Sequence, residues 1–491
     1  MKQAPSEIFR VTKPFDDMEI ALVQDSMSQK EKDIAETVAV IRYALNLARL
    51  THLPVEKTRI INLTEQLESY RRQIEELLSP LLIEIRGKVD YRGLMRLAPK
   101  IKQLVHGERA RLLRNNINRF NKEALDNEIC QKSLVLVLGG GGGVGYIYLG
   151  AFKALEDAGL KPAYIVATSM GATMGMFRAK SYDFRWADVV KATRVLQWRK
   201  LISFISMKSR FGLPGYMKLH LYSALSRYFK SPVGEDLRLC DLPIPLDVIV
   251  AGIKKGELKH DPDYYGHMLD SLYTLRGGRN LPYRKARGIM RELISIIGEF
   301  FSNSTMLREI VMGGDELTSE IKVLDAVGFS CALPAVIHYD IARDDRQAIE
   351  QFERLMEAKQ ALRLIDGGMI DNVPTRVAWE GVYKGRLPTR NVCIVSFDSF
   401  APRPLQQPLW LPLQRLAAQQ SRRNKPFSHI WHSFLNTLSP MEIIPDIASL
   451  RRIVDVGYDE TKELTPFIKA VIEPLPGLEG EYKRQEILIG A

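Results

Sequence analysis

The spacing of apolar and polar positions along the 491-residue chain changes character near residue 131. Before that point it is helical. Ile34, Val38, Ile41, Leu45 and Ala48 recur three or four residues apart, as do Ile60, Leu63, Leu67, Tyr70, Ile74 and Leu77. Each set lies on one face of a helix. Pro54 separates the two helices, and Pro80 is expected to end or kink the second. A third, basic stretch from Leu94 to Phe120 predicts a helix with a break near Pro99. Residues 1–28 show no period and predict an irregular arm.

After residue 131, short β-rich runs (SLVLVL, AYIVATSM, LDVIVAGI, RNVCIVSFD) alternate with helical ones (GAFKALEDAG, GATMGMFRAK). This alternation predicts an α/β fold, a mostly parallel sheet flanked by helices, with an added N-terminal helical region. Beyond residue 400 the chain turns Pro-rich and amphipathic, as in APRPLQQPLWLPLQRL. The expected organisation is a helical region over 1–130, an α/β domain over 131–400 and an amphipathic extension over 401–491.

The apolar run SLVLVL leads straight into Gly139–Gly143. Gly140, Gly142 and Gly145 fit G-x-G-x-x-G, but a dinucleotide site also needs a carboxylate at the end of the next strand. That strand ends Ala167-Thr168-Ser169, without one. No Gly-Lys-Ser/Thr follows the glycines, so a phosphate-binding P-loop fails as well. Ala167-Thr168-Ser169-Met170-Gly171 instead approximates the strand-to-helix serine elbow G-x-S-x-G. Adjacent strand-loop-helix units put their loops side by side at the carboxyl edge of a sheet. There the bare glycine backbone can offer N–H groups to an oxyanion on whatever Ser169 attacks.

Such a serine needs a base. The eight histidines are scattered, and none sits in a strand-end motif. In LIDGGMIDNVP, residues 364–374, Asp366 precedes Gly367 and Gly368. A desolvated carboxylate held against a serine can take its proton, although Asp-Gly pairs are also common in plain turns.

Charge adds a partner class. The formal net charge is +11, which favours anionic partners such as nucleic acid or acidic lipid. Basic and aromatic residues interleave over 194–230, including Arg194, Trp198, Arg199, Lys200, Lys208 and Tyr222. A further basic segment holds Arg276, Arg279, Arg284, Lys285, Arg287 and Arg291, then Leu293, Ile294, Ile296, Ile297, Phe300 and Phe301. No nucleic-acid module is recognisable, so membrane lipid with an anionic surface is the expected partner. The four cysteines lie far apart, without metal-ligand or CxxC spacing. There is no secretory core and no apolar run of the roughly 20 residues a membrane span needs. A cytoplasmic protein touching membrane only from the surface is expected.

Taken together, these blocks resemble the patatin-like phospholipases. The glycine block is GGGGGVGYIYLGAFKALEDAG, the elbow VATSMGA and the acid block DGGMIDNVP, with Asn372 and Pro374 in place. Two weaker blocks agree: AGIKKGE at 251–257, and AVGFSCALPAVI at 326–337 with Ser330, Ala332 and Pro334. The resemblance covers about 131–400. It implies a lipid acyl hydrolase with a Ser169–Asp366 dyad and an oxyanion hole in the loop Gly140, Gly141, Gly142 and Gly143. Gly145, Gly171, Gly367 and Gly368 would support the motifs, and neither metal nor organic cofactor would be needed. Val144 stands where family members often carry Arg or Lys, and Ala167 replaces the elbow's first glycine. Those departures keep a catalytically weak lipid-binding scaffold open. Acyl transfer on the same scaffold, and a triad ending at His429 or His432, also stay open.

Overall fold

The computed structural model describes residues 5–29, 31–56, 59–82, 89–186, 189, 201–204, 210–257, 297–298, 300, 303–341, 343–404, 410–435 and 438–477. The basic residues expected at 194–208 and 276–291, with Leu293, Ile294, Ile296 and Phe301, lie outside the described residues. The chain forms two compact units. One comprises Met1–Leu134, Glu380–Cys393 and Leu464–Ala491; the other comprises Val135–Trp379 and Ile394–Glu463.

The first unit is helical: α1 (Pro5–Ser26), α2 (Lys32–Arg49), α3 (Glu68–Leu82), α4 (Tyr91–Asn115) and α5 (Lys122–Cys130). The expected irregular arm is therefore a helix. Ile8, Phe15, Met18 and Leu22 are buried on it, but Thr12, Asp16 and Glu19 are buried too. Polar residues on the inward face hid the period. Ile60, Leu63 and Leu67 precede α3; Ile60 opens β2 (Ile60–Asn62), which pairs antiparallel with β1 (His52–Pro54). The helix α4 runs through Pro99 without the expected break. A mid-helix proline costs about 3 kcal/mol. Burial of Leu94, Ile101, Val105 and Leu112 along α4 outweighs it at about 1.5–3 kcal/mol each.

The second unit carries the α/β layer. Its strands are β3 (Ser133–Leu138), β4 (Tyr164–Thr168), β5 (Ile202–Phe204), β6 (Gly215–Leu219), β7 (Leu246–Lys254), β8 (Leu307–Met312), β9 (Ala335–His338), β10 (Ala361–Asp366), β11 (Val392–Asp398) and β12 (Ile430–Ser433). The main sheet has the order β10-β7-β4-β3-β11-β12, with β8 also on β7, while β5, β6 and β9 form a small separate sheet. The pairs β3/β4, β4/β7 and β11/β12 are parallel, whereas β7 pairs antiparallel with β8 and β10. The sheet is thus mixed, with a parallel centre. Its central strands are buried along nearly their whole length, which is why they read as unbroken apolar runs. Helices α6 (Ile147–Asp157) and α7 (Met170–Ala179) follow β3 and β4.

One feature of register places the site. Val248 pairs with both Ala167 of β4 and Met312 of β8, and Val250 with both Asp366 of β10 and Ile310 of β8. Because β8 occupies one edge of β7, β4 and β10 share the other. They run towards each other and end opposite Ile249 and Val250.

Candidate active site

Where β4 ends, the chain turns sharply into α7, and the residue at the turn is Ser169, with φ 52° and ψ −124°. Such a positive φ is unusual for a residue with a side chain and marks a strained elbow. The glycine two positions on is required by close approach. A Cβ on Gly171 would lie 2.4 Å from the Leu138 carbonyl oxygen and 2.6 Å from that of Gly139. At the elbow's first position Ala167 is fully buried and faces Gly175, so its methyl fits.

The strained peptide is pinned. The Ser169 N–H donates to Ser330 Oγ at 2.8 Å, and the Ser330 hydroxyl donates to the Ile249 carbonyl at 2.6 Å. Ser330 ends the helix Val323–Ser330 and is wholly buried. The sequence marked Ser330 only as part of a motif; that it holds the elbow to β7 is visible only in the structure.

Asp366 arrives at the end of β10. Its Oδ2 accepts the Ser169 hydroxyl at 2.7 Å, and its Oδ1 accepts the Gly368 N–H at 2.7 Å. Burial lifts its pKa to about 7, against the opposing pull of those two hydrogen bonds. Gly367 allows the chain to leave β10 across β7, since a Cβ there would sit 2.1 Å from the Ile249 carbonyl oxygen.

The glycine loop divides its amides. The N–H of Gly139 donates to Phe397 O at 3.0 Å, that of Gly140 to Asn372 O at 3.1 Å, and that of Gly143 to Pro440 O at 2.9 Å. The N–H groups of Gly141 and Gly142 have no acceptor among the described residues, and both glycines line the cavity that holds Ser169 and Asp366. Of the four glycines expected to face an oxyanion, Gly140 and Gly143 thus have backbone acceptors, and Gly141 and Gly142 have none among the described residues. Their φ values, 149° and 62°, suit glycine. Val144 is buried against Gly141 and does not line the cavity. Gly145 lies against the Met170 side chain.

The rest of the cavity wall is largely apolar, with Met174, Phe177, Leu221, Leu225, Leu333 and Trp410 among its residues. Neither His429 nor His432 lines it. His429 Nδ1 accepts the Ile394 N–H at 2.9 Å, and His432 Nε2 lies 3.0 Å from Glu460. The arrangement therefore gives no geometric support to a histidine triad. Among the described residues no group of three or more His, Cys, Asp or Glu side chains could hold a metal ion. No described helix is long and apolar enough to cross a membrane.

These features can deprotonate a hydroxyl, hold a developing oxyanion and receive an apolar chain. Parts of the chain are similar to known proteins. Lysophospholipase NTE1 of Coccidioides immitis (strain RS) is 44% identical over 68 residues, 14% of this chain and 4% of its own. The NTE1 lysophospholipase of Yarrowia lipolytica (strain CLIB 122 / E 150) is 40% identical over 68 residues, 14% of this chain and 5% of its own. The matches thus span only about a twentieth of those relatives. Among solved structures, VipD from Legionella pneumophila aligns with a TM-score of 0.33 and 15% identity over 68% of this chain and 67% of that one, too loosely to carry an argument. The family model for patatin-like phospholipases matches residues 136–379. Through that span the chain belongs to the patatin-like phospholipase family.

Proposed function

We propose that the protein is a lipid acyl hydrolase that cleaves fatty acyl esters through a Ser169–Asp366 dyad. The observation that carries this reading is the 2.7 Å hydrogen bond from the Ser169 hydroxyl to Asp366 Oδ2, at the wall of an apolar cavity. Asp366 takes the proton as Ser169 Oγ attacks the ester carbonyl. The N–H groups of Gly141 and Gly142 hold the tetrahedral oxyanion, a contribution typically worth about 10²–10³ in rate per donor. The alcohol leaves with the proton from Asp366. Water, activated by the same carboxylate, then releases the fatty acid from the acyl-serine. A carboxyl with a pKa of about 7 is ionised enough to accept a proton near neutrality and basic enough to hold it.

The relatives named as lysophospholipases point to single-chain phospholipids as the first substrates to try. A membrane surface is the matching source. Leu435, Met441 and Ile447 leave large apolar side chains in water, 64%, 37% and 76% exposed, and Met441 also lines the cavity. Together with a net charge of +11, these residues suit peripheral contact with anionic lipid.

Hydrolysis of a lysophospholipid panel by wild type, Ser169→Ala and Asp366→Asn tests the reading. Fatty-acid release should vanish in both variants, and a fluorophosphonate should label wild type but not Ser169→Ala. Release that survives loss of the Ser169 hydroxyl would rule the dyad out, and wild type inert to both lipid and probe would leave a lipid-binding scaffold.

A further inference from the structure

We propose that the turn at Leu438–Ile443, which lies beyond the family-matched span, is a positioning element for the oxyanion loop, with Tyr146 as its anchor. This rests on the hydrolase reading above and adds a dependence on residues outside the family-matched span.

The Gly141–Gly142 pair hangs between two sets of anchors. On the sheet side, the N–H groups of Gly139 and Gly140 donate to Phe397 O and Asn372 O. On the other side, the Gly143 N–H donates to Pro440 O at 2.9 Å, and the Tyr146 hydroxyl donates to Ile443 O at 2.7 Å. Both acceptors on that side belong to a single turn, closed by the Glu442 N–H on Ser439 O at 2.9 Å. Pro440 occupies its second position, where a fixed φ stiffens the turn.

The fit is tight. A Cβ on Gly142 would lie 2.3 Å from Pro440 O, and one on Gly143 would lie 2.5 Å from Glu442 O and 2.6 Å from Ser439 O. The bare backbone here accommodates the turn as well as a substrate. Leu438 is buried, which seats the turn's entry, and Met441 and Ile443 lie in the cavity wall. A run of glycines has little conformational preference of its own. Two N–H groups act as a preorganised oxyanion hole only if their neighbours are fixed. Without the turn, Gly143 and Tyr146 would lose both of those partners, and the donors would be held from one side only.

Tyr146→Phe removes one anchor and keeps the ring. Pro440→Gly keeps the carbonyl but loosens the turn, and Pro440→Ala serves as the milder replacement. Each is assayed with p-nitrophenyl butyrate, a soluble ester too short to need the deep cavity. Rates are normalised to the fraction of serine that a fluorophosphonate finally labels, so misfolded protein is discounted. The expected result is a kcat lower by about tenfold in Tyr146→Phe and Pro440→Gly, with KM within about twofold of wild type, slower fluorophosphonate labelling, and recovery in Pro440→Ala. Normalised kcat unchanged in both variants, or a loss carried by KM alone, overturns the proposal. Ester hydrolysis persisting in Ser169→Ala would instead defeat the underlying dyad reading.

Discussion

The Ser169 hydroxyl and the Asp366 carboxylate, 197 positions apart in the chain, are 2.7 Å apart in the fold. Their meeting follows from strands β4 and β10 sharing one edge of β7 and ending opposite Ile249 and Val250. Both chains must leave the sheet there, and the tight exits at Ser169 and Gly367 are the geometric consequence. Burial at this junction sets the carboxyl's pKa at about 7.

The first expectation is a pH profile. Only the ionised carboxylate can accept the serine proton, so kcat/KM should fall about tenfold per pH unit below about 7 and level off above it. A pH series on a soluble ester measures this. A limb with its midpoint near 4 would remove Asp366 from the role of base.

Stability should move in the opposite sense. The folded-state pKa of Asp366 lies above the ordinary aspartate value of 3.8, so the folded protein binds the proton more tightly than the unfolded chain. Below pH 3.8 the group costs nothing; the penalty grows as pH rises towards about 7 and stays constant above that. It amounts to roughly 4 kcal/mol, a figure already net of the hydrogen bonds from Ser169 and Gly368. Asp366→Asn should therefore melt above wild type at pH 8, and the gap should close on acidification towards pH 4. Thermal melts at the two pH values check it.

Ser330→Ala should damage both fold and rate. It leaves the Ser169 N–H without its acceptor and the Ile249 carbonyl without its donor, in a fully buried place. An orphaned buried group costs about 1–3 kcal/mol. The elbow would also lose the bond that fixes its strained φ, so kcat should drop by more than about tenfold with KM little changed. Denaturant melts and steady-state kinetics on the variant measure the two effects separately.

Much of the site is legible in the sequence because its chemistry sits in short blocks. An elbow, a glycine run and an Asp-Gly pair each need only a few adjacent residues. What joins them is not local. No spacing rule encodes that β10 runs antiparallel to β7 on the edge it shares with β4. The division of the glycine amides depends on Asn372 and Pro440, distant partners acting through backbone carbonyls that carry no side-chain signature. In the helical unit, α1 shows no apolar period because Thr12 and Glu19 stand on its buried face, and the expected break at Pro99 yields to burial on both sides of it.

The glycines of the motifs should differ sharply in tolerance. A Cβ on Gly367 would meet the Ile249 backbone oxygen at 2.1 Å, so backbone rather than a side-chain tip would have to move. On Gly145 it would meet the Met170 side chain at 2.7 Å, and a flexible thioether can swing aside. Gly367→Ala should therefore lose activity and several kcal/mol of stability, while Gly145→Ala should lose about 1 kcal/mol or less. Expression level, melting temperature and fluorophosphonate labelling of the pair test the contrast.

The last expectation concerns the helical unit and acid. Glu19 is 1% exposed, yet it is met by Arg42 Nε at 3.1 Å, Lys132 Nζ at 2.6 Å and Asn46 Nδ2 at 3.0 Å. Burial alone would raise its pKa, but the two cations and their hydrogen bonds win and hold it down to about 2. Because the folded value lies below the ordinary glutamate value of 4.5, the stabilisation is fully present above pH 4.5 and is lost as pH falls from there towards 2. It amounts to roughly 3 kcal/mol at neutral pH. Glu19→Gln should cost about 3–5 kcal/mol at pH 7, because it strands buried cations against a neutral amide. It should also flatten the acid dependence between pH 4.5 and 2. Melts at pH 7 and pH 3 distinguish this from simple loss of packing, which would lower both by the same amount; a wild type and variant that differ equally at the two pH values would show that the ion cluster contributes no pH-linked stability.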